Sequence, residues 1–399
     1  MPTPTILQII PSLDTGGAEL STIEIAEAVV SAGGRALVLT EGGRMQDRLA
    51  SVGGEMIWFP ASTKNPARIL WNAQRIAQIV RSQNVSLIHA RSRAPAWSAL
   101  IAARRTKIPF VTTYHGAYSE KSRIKNLYNS VMARSDIVIA NSRYTADLIK
   151  SRYDIGDERV RIIYRGVDGG QFDPASISAD RIAALRTTWG VKPDARIVLH
   201  AARLTGWKGQ RDVIATAAQM RGRLQEVVFV LAGDAQGRSG YREELEQLIA
   251  AHALDGVVRL VGHVEDMPAA FAAAYVAIVA SVEPEAFGRA AAEAQAQGCP
   301  VISTNIGAPP ETVLAPPRVS TGARTGWLVP PGDLNSYEQA IGEALALSPT
   351  QRSEMGDRAR RHILDSFTTQ TMQRATLAVY DNLLGNSDFL SSWRAETDT

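Results

Sequence analysis

The stretch VAIVASVEPEAFGRAAAEA, residues 276–294, contains an apolar run, a turn and an alanine-rich segment in direct succession. The run Val276–Ala280 is typical of a buried strand, and Pro284 and Gly288 interrupt the chain before a helical segment. A strand that leads into a helix through a short turn is the repeating unit of a parallel α/β sheet. The stretch therefore predicts a βα unit whose turn lies at the carboxyl end of a strand.

The same alternation runs through most of the chain. Its 399 residues are enough for two domains, at ~150–200 residues each. Because the alternation stops in the Gly-, Asp- and Pro-rich segment 164–178 and then restarts, we predict two doubly wound α/β domains with mostly parallel sheets. The predicted strands are Thr5–Ile10, Ala36–Thr40, Met56–Phe59, Leu87–Ala90, Phe110–Thr113, Ile137–Ala140, Arg161–Ile163, Ile197–Ala201, Val227–Ala232, Val257–Val261, Val276–Ala280 and Val301–Ser303.

We place the domain boundary between residues 180 and 181, and we expect the chain to end in helices at about 334–347, 351–365 and 369–384. Ligands of doubly wound sheets bind outside the carboxyl ends of the strands. Two facing sheets of this kind predict a ligand site in a central cleft.

Composition excludes several other classes. Hydrophobic residues make up 45% and charged residues 21% of the chain, which is typical of a globular protein. Cys299 is the single cysteine, so neither a disulfide framework nor a cysteine zinc site is expected. We find no apolar run long enough for a membrane span and no basic leader before the first apolar run. The sequence predicts a cytoplasmic protein with at most peripheral contact with a membrane.

Basic residues are concentrated in the first half of the chain. From Lys64 to Arg134 there are thirteen lysines and arginines and a single acid, Glu120, although the net charge of the whole chain is only +3. Such an excess attracts an anionic partner, and anionic lipid, phosphorylated glycolipid and nucleic acid are all candidates. The simpler interpretation is a solvated basic face.

The first candidate site lies in the turn that follows Val276–Ala280. Glu285 precedes the predicted helix or lies in its first turn, and Glu293 follows about two turns later, roughly 12 Å along a helix axis. That separation suits the distance from the sugar of a nucleotide-sugar to its ribose. Backbone N–H groups around Phe287, Gly288 and Arg289 face a diphosphate with the aid of the helix dipole. Alone, the two glutamates are also compatible with a helix cap and a surface charge.

Two further motifs also follow strands. Arg203 and Lys208 flank a glycine turn after Ile197–Ala201, where a guanidinium and an ammonium can converge on one pyrophosphate without a metal ion. The pair Gly16-Gly17, within Asp14-Thr15-Gly16-Gly17, precedes the first helix and permits close approach of a ligand. Neither motif is specific alone: solvated charges and an ordinary tight turn have the same appearance.

Together these motifs resemble the retaining glycosyltransferases of the GT-B fold, family 4 or group 1 type, which include mannosyl- and glucosyltransferases of lipopolysaccharide and glycolipid synthesis. The E-x7-E signature matches at Glu285 and Glu293, and the Arg-x4-Lys pair at Arg203 and Lys208. The similarity covers nearly the whole chain, with additional matches at Thr113–Gly116, Asn141-Ser142, Arg165–Asp168, Ala232–Asp234, Gly262–Val264 and Gly326–Val329.

The resemblance implies a role for each matching residue. Arg203 and Lys208 would hold the donor diphosphate, Glu285 the donor sugar and Glu293 the ribose. His115 would face the donor sugar near the reacting carbon. Backbone would meet the donor at the remaining positions, which are Gly16, Gly17, Gly233, Val264, Phe287, Gly288, Arg289 and Ala290.

The resemblance also implies the substrates and the domain roles. The donor would be a UDP- or GDP-sugar, and the acceptor an anionic glycolipid or saccharide such as a lipopolysaccharide intermediate. The enzyme would use no cofactor and no metal, bind no nucleic acid, and work at the cytoplasmic face of the inner membrane. Residues 1–180 would bind the acceptor, residues 181–368 the donor, and the last helix, from about 369, would cross back to the first domain.

The sequence departs from the family pattern at two places. Ala286 stands where glycine is frequent, and Gly307–Glu311 replaces a Gly-Gly turn, so the sequence does not identify the sugar of the donor. We find no Asp-x-Asp metal signature, and the other histidines lack the spacing of metal ligands; they are His89, His200, His252, His263 and His362. The alternatives are an epimerase-like nucleotide-sugar enzyme and a non-catalytic anion-binding protein.

Overall fold

The computed structural model describes residues 3–14, 16–116, 118, 122–223, 226–235, 237, 239–385 and 388–393. The chain forms two compact units, one of residues 1–166 with 369–399 and the other of residues 167–368. Residues 167–180, which the sequence analysis assigns to the first domain, belong to the second unit. Val167 N–H donates to Phe367 O at 2.8 Å, and the Arg360 guanidinium donates to Phe172 O at 2.5 Å, which ties this segment to the end of the second unit.

A seven-stranded sheet, with parallel pairing between all neighbours, forms the centre of the first unit. Its strand order is β3-β2-β1-β4-β5-β6-β7, which places the first strand inside the sheet, as in doubly wound folds. The strands are β1 (Thr5–Ile9), β2 (Arg35–Thr40), β3 (Glu55–Trp58), β4 (Val85–Ala90), β5 (Phe110–Tyr114), β6 (Ile137–Ala140) and β7 (Val160–Ile162).

Helices cover this sheet, and its central strands are buried because both faces are packed. Apolar residues of β1 alternate between two clusters, so that Leu7 and Ile9 belong to one and Ile6 to the other. The helices are α1 (Gly17–Ser31), α2 (Gln46–Ser51), α3 (Pro66–Ser82), α4 (Arg93–Thr106), α5 (Arg123–Asn129) and α6 (Arg143–Arg152).

The second unit contains a six-stranded parallel sheet of order β10-β9-β8-β11-β12-β13. Its strands are β8 (Arg196–Ala201), β9 (Val227–Ala232), β10 (Val258–Gly262), β11 (Val276–Val279), β12 (Val301–Thr304) and β13 (Gly326–Val329). Its helices are α7 (Ala179–Thr188), α8 (Gln210–Met220), α9 (Ser239–Ala251), α10 (Met267–Ala273), α11 (Arg289–Ala296), α12 (Pro309–Thr312), α13 (Leu334–Leu345) and α14 (Pro349–Ser366).

The chain then returns to the first unit through α15 (Thr369–Leu384) and α16 (Phe389–Ser392). Leu377 and Tyr380 are fully buried in the same cluster as Ile6 of β1. The Gln373 side-chain amide donates to Glu24 O of α1 at 2.8 Å. Apolar packing and a buried hydrogen bond therefore attach this helix to the first sheet.

The predicted fold class, two doubly wound α/β domains with parallel sheets, is confirmed. The sequence analysis missed β13, since Gly326–Val329 is short and contains a glycine and a tryptophan. It also placed the helix after Glu285 too early. Gly288, with φ 81°, caps α11, so the helix begins at Arg289 and the axial estimate from Glu285 to Glu293 does not apply.

Candidate active site

The central feature of the second unit is an ion pair between Lys208 and Glu285. The Nζ atom of Lys208 lies 2.7 Å from Oε1 of Glu285, and the two side chains are 16% and 10% exposed. Lys208 follows β8 and Glu285 follows β11, and these strands are neighbours in the sheet. The two charged groups meet because parallel strands bring their carboxyl ends to one edge.

A glycine lets the loop after β8 approach β11 closely. Gly209 has φ 76°, and a Cβ atom there would collide with the carbonyl oxygen of Ala280. A side chain at this position would therefore displace the loop and move Lys208 away from Glu285. Val282 N–H donates to Trp207 O at 2.8 Å, which joins the two loops directly.

Two neighbours keep the buried Glu285 carboxyl ionised. Burial alone would raise the pKa of Glu285, but the Lys208 ammonium and the hydroxyl that Ser281 donates to Oε1 lower this pKa below its usual value. The site thus holds a buried carboxylate whose negative charge is offset by one ammonium.

His200 lies beneath this pair as a neutral imidazole. Its Nδ1 atom donates to Ile278 O at 2.9 Å, since a carbonyl can only accept. Burial, with a smaller contribution from Lys208, lowers the pKa of His200 to about 4. At neutral pH the histidine therefore adds no positive charge to the site.

Arg203 shares the loop of Lys208, but its side chain is exposed and does not contact the pair. Within the described residues, its guanidinium has neither an ion-pair nor a hydrogen-bond partner. Its carbonyl accepts from Gln210 Nε2 at 2.9 Å, which fixes the backbone of the loop. The guanidinium is therefore available to an anion.

Glu293 forms an ion pair with Arg289 one turn earlier on α11. Arg289 Nε lies 2.5 Å from Glu293 Oε1, and the two side chains are 16% and 15% exposed. The Phe287 side chain is buried and packs against Phe367, with ring centroids 6.1 Å apart. At Phe287, then, only the backbone is a candidate for contact with a ligand.

The remaining predicted positions of this unit lie on neighbouring strand ends. Gly233 follows β9, and its N–H donates to Gly262 O, the last residue of β10, at 2.7 Å. Val264 is half-buried two residues after β10. Because β10, β9, β8 and β11 are consecutive in the sheet, their carboxyl ends form one continuous row of candidate ligand contacts.

In the first unit, His115 directly follows β5 and is paired with Arg165. The guanidinium Nη2 donates to His115 Nδ1 at 2.8 Å, so the imidazole proton lies on Nε2. Nε2 is buried and has no hydrogen-bond partner among the described residues. Burial and the cations Arg165 and Arg91 hold the pKa of His115 well below its usual value. His115 is therefore a neutral donor rather than a base.

A buried hydrogen-bond chain lies behind His115. Arg91 donates to Thr113 Oγ1 at 3.3 Å. The imidazole of His89 forms a hydrogen bond with the same Thr113 hydroxyl through Nε2 and with the Tyr380 hydroxyl through Nδ1, each at 2.7 Å. Arg91 also donates to Thr22 Oγ1 at 3.2 Å on α1, the helix that begins at Gly17. The chain thus connects α1, β4, β5 and α15.

Comparison with known proteins identifies the family. Residues 15–170 match the model Glycosyltransferase Family 4, and residues 182–362 match Glycosyl transferases group 1. The crystal structure of a glycosyltransferase from Rickettsia africae is 31% identical, covers 97% of this chain and 100% of its own, and superposes with a TM-score of 0.87. The chain belongs to the group 1 glycosyltransferases.

This glycosyltransferase is also similar to two other kinds of protein. Anabaena Alr3699/HepE, solved in complex with UDP and glucose, is 26% identical over 95% of this chain and 99% of its own, with a TM-score of 0.82. A D-inositol 3-phosphate glycosyltransferase of Streptomyces scabiei is 28% identical over 75% of this chain and 68% of its own length. Further relatives of that name match over 52% to 76% of their lengths. The GT-B fold expected from the sequence is confirmed.

The structure of this glycosyltransferase groups the predicted residues by unit. Lys208 and Glu285 are in direct contact, whereas Glu293 is paired with Arg289 and the Arg203 side chain is exposed. Gly16 and Gly17 lie at the start of α1, and Thr15 of the same motif falls outside the described residues. His89 and His200 are buried and hydrogen-bonded.

The sequence analysis did not single out Arg91 or Ser281 as functional residues of the glycosyltransferase, and it missed two side-chain pairs, Arg289 with Glu293 and Arg165 with His115. Of these, the Arg289–Glu293 pair could be found from its i,i+4 spacing. Arg165 and His115 are 50 positions apart, so that no local pattern connects them. The described residues contain no cluster of three metal-type side chains and no helix with the length and apolar character of a membrane span.

Proposed function

We propose that this glycosyltransferase transfers a hexose, with retention of anomeric configuration, from a nucleotide-diphosphate sugar to an anionic lipid-linked acceptor of the lipopolysaccharide type. The buried Lys208–Glu285 pair carries the proposal, because it sets a cation for a phosphate beside a carboxylate for sugar hydroxyls. The complexes of the Anabaena relative with UDP and with UDP-glucose support a uridine donor.

The positively charged groups of the candidate site, and the N–H groups at the start of α11, would bind the diphosphate of the donor. Lys208 has three N–H donors, one of which is directed at Glu285, so two remain for diphosphate oxygens. The exposed Arg203 guanidinium supplies a planar fork for the same group. The N–H groups at Gly288, Arg289 and Ala290, where α11 begins, add partial positive charge.

The carboxylates and the backbone would orient the rest of the donor. Glu285 accepts hydrogen bonds from hydroxyls of the transferred sugar, and its low pKa keeps it an acceptor at neutral pH. Glu293 accepts from the ribose hydroxyls while Arg289 holds the carboxylate in place. Backbone at Gly233 and Val264 contacts the nucleotide, and Gly16 and Gly17 admit the reacting groups.

His115 is proposed to donate its Nε2 proton to a hydroxyl of the transferred sugar. The hydrogen bond from Arg165 assigns that proton, and the lowered pKa excludes the imidazolium at neutral pH. A neutral donor can stabilise the sugar without adding positive charge beside an oxocarbenium-like transition state.

We propose that the reaction is metal-independent and uses no protein base. Cleavage of the sugar–diphosphate bond leaves negative charge on the diphosphate, which Lys208 and Arg203 would neutralise. The acceptor attacks the face that the diphosphate leaves, and a leaving phosphate oxygen takes its proton. EDTA should then leave turnover unchanged, and NMR of the first product should show the anomeric configuration of the donor.

The acceptor proposal has two forms that an assay can separate. The basic segment from Lys64 to Arg134 supports an anionic acceptor at the cytoplasmic face of a membrane. The Streptomyces relatives named for D-inositol 3-phosphate favour a soluble anionic acceptor instead. Radiolabelled UDP-glucose, UDP-galactose and GDP-mannose should be tested with both acceptors. Transfer to neither acceptor from any donor would contradict the proposed function.

A further inference from the structure

Large exposed apolar side chains are concentrated in one part of the first unit. Six of the nine such residues found in the described chain lie between residues 56 and 127. Five of them form what we call the apolar platform, which consists of Trp58 on β3, Leu70 and Trp71 on α3, and Ile124 and Leu127 on α5. Their exposed fractions run from 55% for Leu70 to 81% for Ile124.

Hydrogen bonds from α4 connect the part of the apolar platform on α3 with the part on α5. Ser98 Oγ donates to Ile69 O of α3 at 3.1 Å, and the adjacent Trp97 Nε1 donates to Tyr128 O of α5 at 3.1 Å. Two consecutive residues of α4 thus contact α3 and α5, directly beside Leu70 and Leu127. The side-chain amide of Asn72 donates to Pro60 O at 2.9 Å, which brings the end of β3 against α3.

Cations surround the apolar platform. Arg68, Arg123 and Lys125 are exposed neighbours of its residues, and none of the three has an ion-pair partner in the described part of the chain. The Arg75 guanidinium stacks on Trp71, with 4.6 Å to the ring centroid. The segment from Lys64 to Arg134 has Glu120 as its single acid. A protein partner of mixed charge would leave many of these cations unmatched.

We infer that the apolar platform inserts into the interface of an anionic lipid bilayer while the surrounding cations bind lipid phosphates. Tryptophan and leucine beside lysine and arginine are the side chains that suit the boundary between headgroups and acyl chains. The inference rests on the proposed lipid-linked acceptor, and it adds an apolar, salt-resistant component to the electrostatic attraction. It also identifies the face of the first unit that meets the lipid.

Vesicle binding of the full chain tests this inference. Co-sedimentation should show binding to phosphatidylcholine vesicles that contain phosphatidylglycerol, and much weaker binding to phosphatidylcholine alone. At about 0.5 M salt, where screening acts within a few ångströms, a measurable fraction should stay bound. The variants Leu70→Ser/Trp71→Ser and Ile124→Ser/Leu127→Ser should each weaken partitioning about tenfold or more and abolish the salt-resistant fraction.

A matched control and a spectroscopic readout separate insertion from a general loss of apolar surface. Ile162→Ser removes an exposed isoleucine of β7, outside the platform, and should bind vesicles like the wild type. Tryptophan emission should shift to shorter wavelength on vesicle binding, and Trp58→Phe/Trp71→Phe should remove most of the shift.

Three outcomes would overturn the inference. These are equal binding to neutral vesicles, unchanged binding by both platform variants, and a concentration-dependent dimer that the platform variants dissociate. Binding of UDP and transfer to a water-soluble acceptor should be the same in the wild type and the platform variants. Platform variants that lose vesicle binding but keep transfer would therefore support the role of the platform in lipid binding. Absence of transfer in the wild type would instead contradict the proposed function.

Discussion

The Lys208 ammonium and the Glu285 carboxylate, 77 positions apart in the chain, meet at 2.7 Å where β8 and β11 end side by side. Each group limits the desolvation penalty of the other, since an isolated buried charge costs several kcal/mol. The pair is thus preformed for a ligand with phosphate at one end and hydroxyls at the other. Its energetic and catalytic roles can be separated by substitution.

Lys208→Ala should lower kcat by about 10²–10³-fold, because the departing diphosphate loses a preorganised cation. It should also destabilise the fold by leaving the Glu285 carboxylate unpaired. In the double variant Lys208→Met/Glu285→Gln the unpaired charge is gone, so urea denaturation should show stability recovered relative to Lys208→Ala. Turnover should stay low. If the double variant recovered both stability and turnover, the role of the pair would be purely structural.

Glu285→Gln should weaken the intact sugar donor more than the free nucleotide. Glutamine keeps the size of the side chain but removes the negative charge that strengthens its hydrogen bonds to sugar hydroxyls. Calorimetry should give a Kd for UDP within about twofold of the wild type, a difference worth only about 0.4 kcal/mol, whereas kcat/KM for the UDP-sugar falls. An equal loss of affinity for both ligands would assign Glu285 to the diphosphate.

How much of this site the sequence predicts depends on the range of each interaction. Strand-end positions such as Lys208 and Glu285 could be predicted, because buried parallel strands have continuous apolar runs and their turns lie at one edge. The Arg165–His115 contact could not, because it requires the ends of non-adjacent segments to be placed within hydrogen-bond distance. The capping role of Gly288 depends on a positive φ that the spacing of Glu285 and Glu293 does not encode.

Arg165→Met should change the pH dependence of turnover. Without the guanidinium, the pKa of His115 rises because a neighbouring positive charge and a donor to Nδ1 are both lost. Burial and Arg91 still act on His115, so as pH falls the variant should lose activity through imidazolium formation at a higher pH than the wild type does. If the wild type and Arg165→Met gave parallel profiles of kcat against pH, His115 would not be the neutral donor. Arg161→Met, on β7, serves as a surface control of the same charge change.

His200 should make the fold less stable in mild acid. Its pKa is lowered to about 4 in the folded chain, whereas an unfolded histidine titrates near 6.5. Its stabilising contribution is therefore complete above about pH 6.5 and declines as pH falls towards 4, with about 2 kcal/mol lost by pH 5.

His200→Gln keeps a donor for Ile278 O and should flatten this decline in urea midpoints between pH 7 and 5. His89 and His115, whose pKa values are also lowered by burial, retain their share of the dependence. An identical pH slope in the wild type and His200→Gln would refute the assignment.

Tyr380→Phe tests the hydrogen-bond chain that ties α15 to the first sheet. The Tyr380 hydroxyl meets His89 Nδ1 at 2.7 Å, and both side chains are fully buried, so its removal leaves an imidazole nitrogen without a partner. We expect a loss of about 1–2 kcal/mol in the free energy of unfolding. Tyr337→Phe is the matched control, because the buried Tyr337 hydroxyl has no hydrogen-bond partner among the described residues and its loss should cost nothing measurable. Urea denaturation of both variants decides the matter: equal stabilities would show that the Tyr380 hydroxyl contributes no more than an unbonded one.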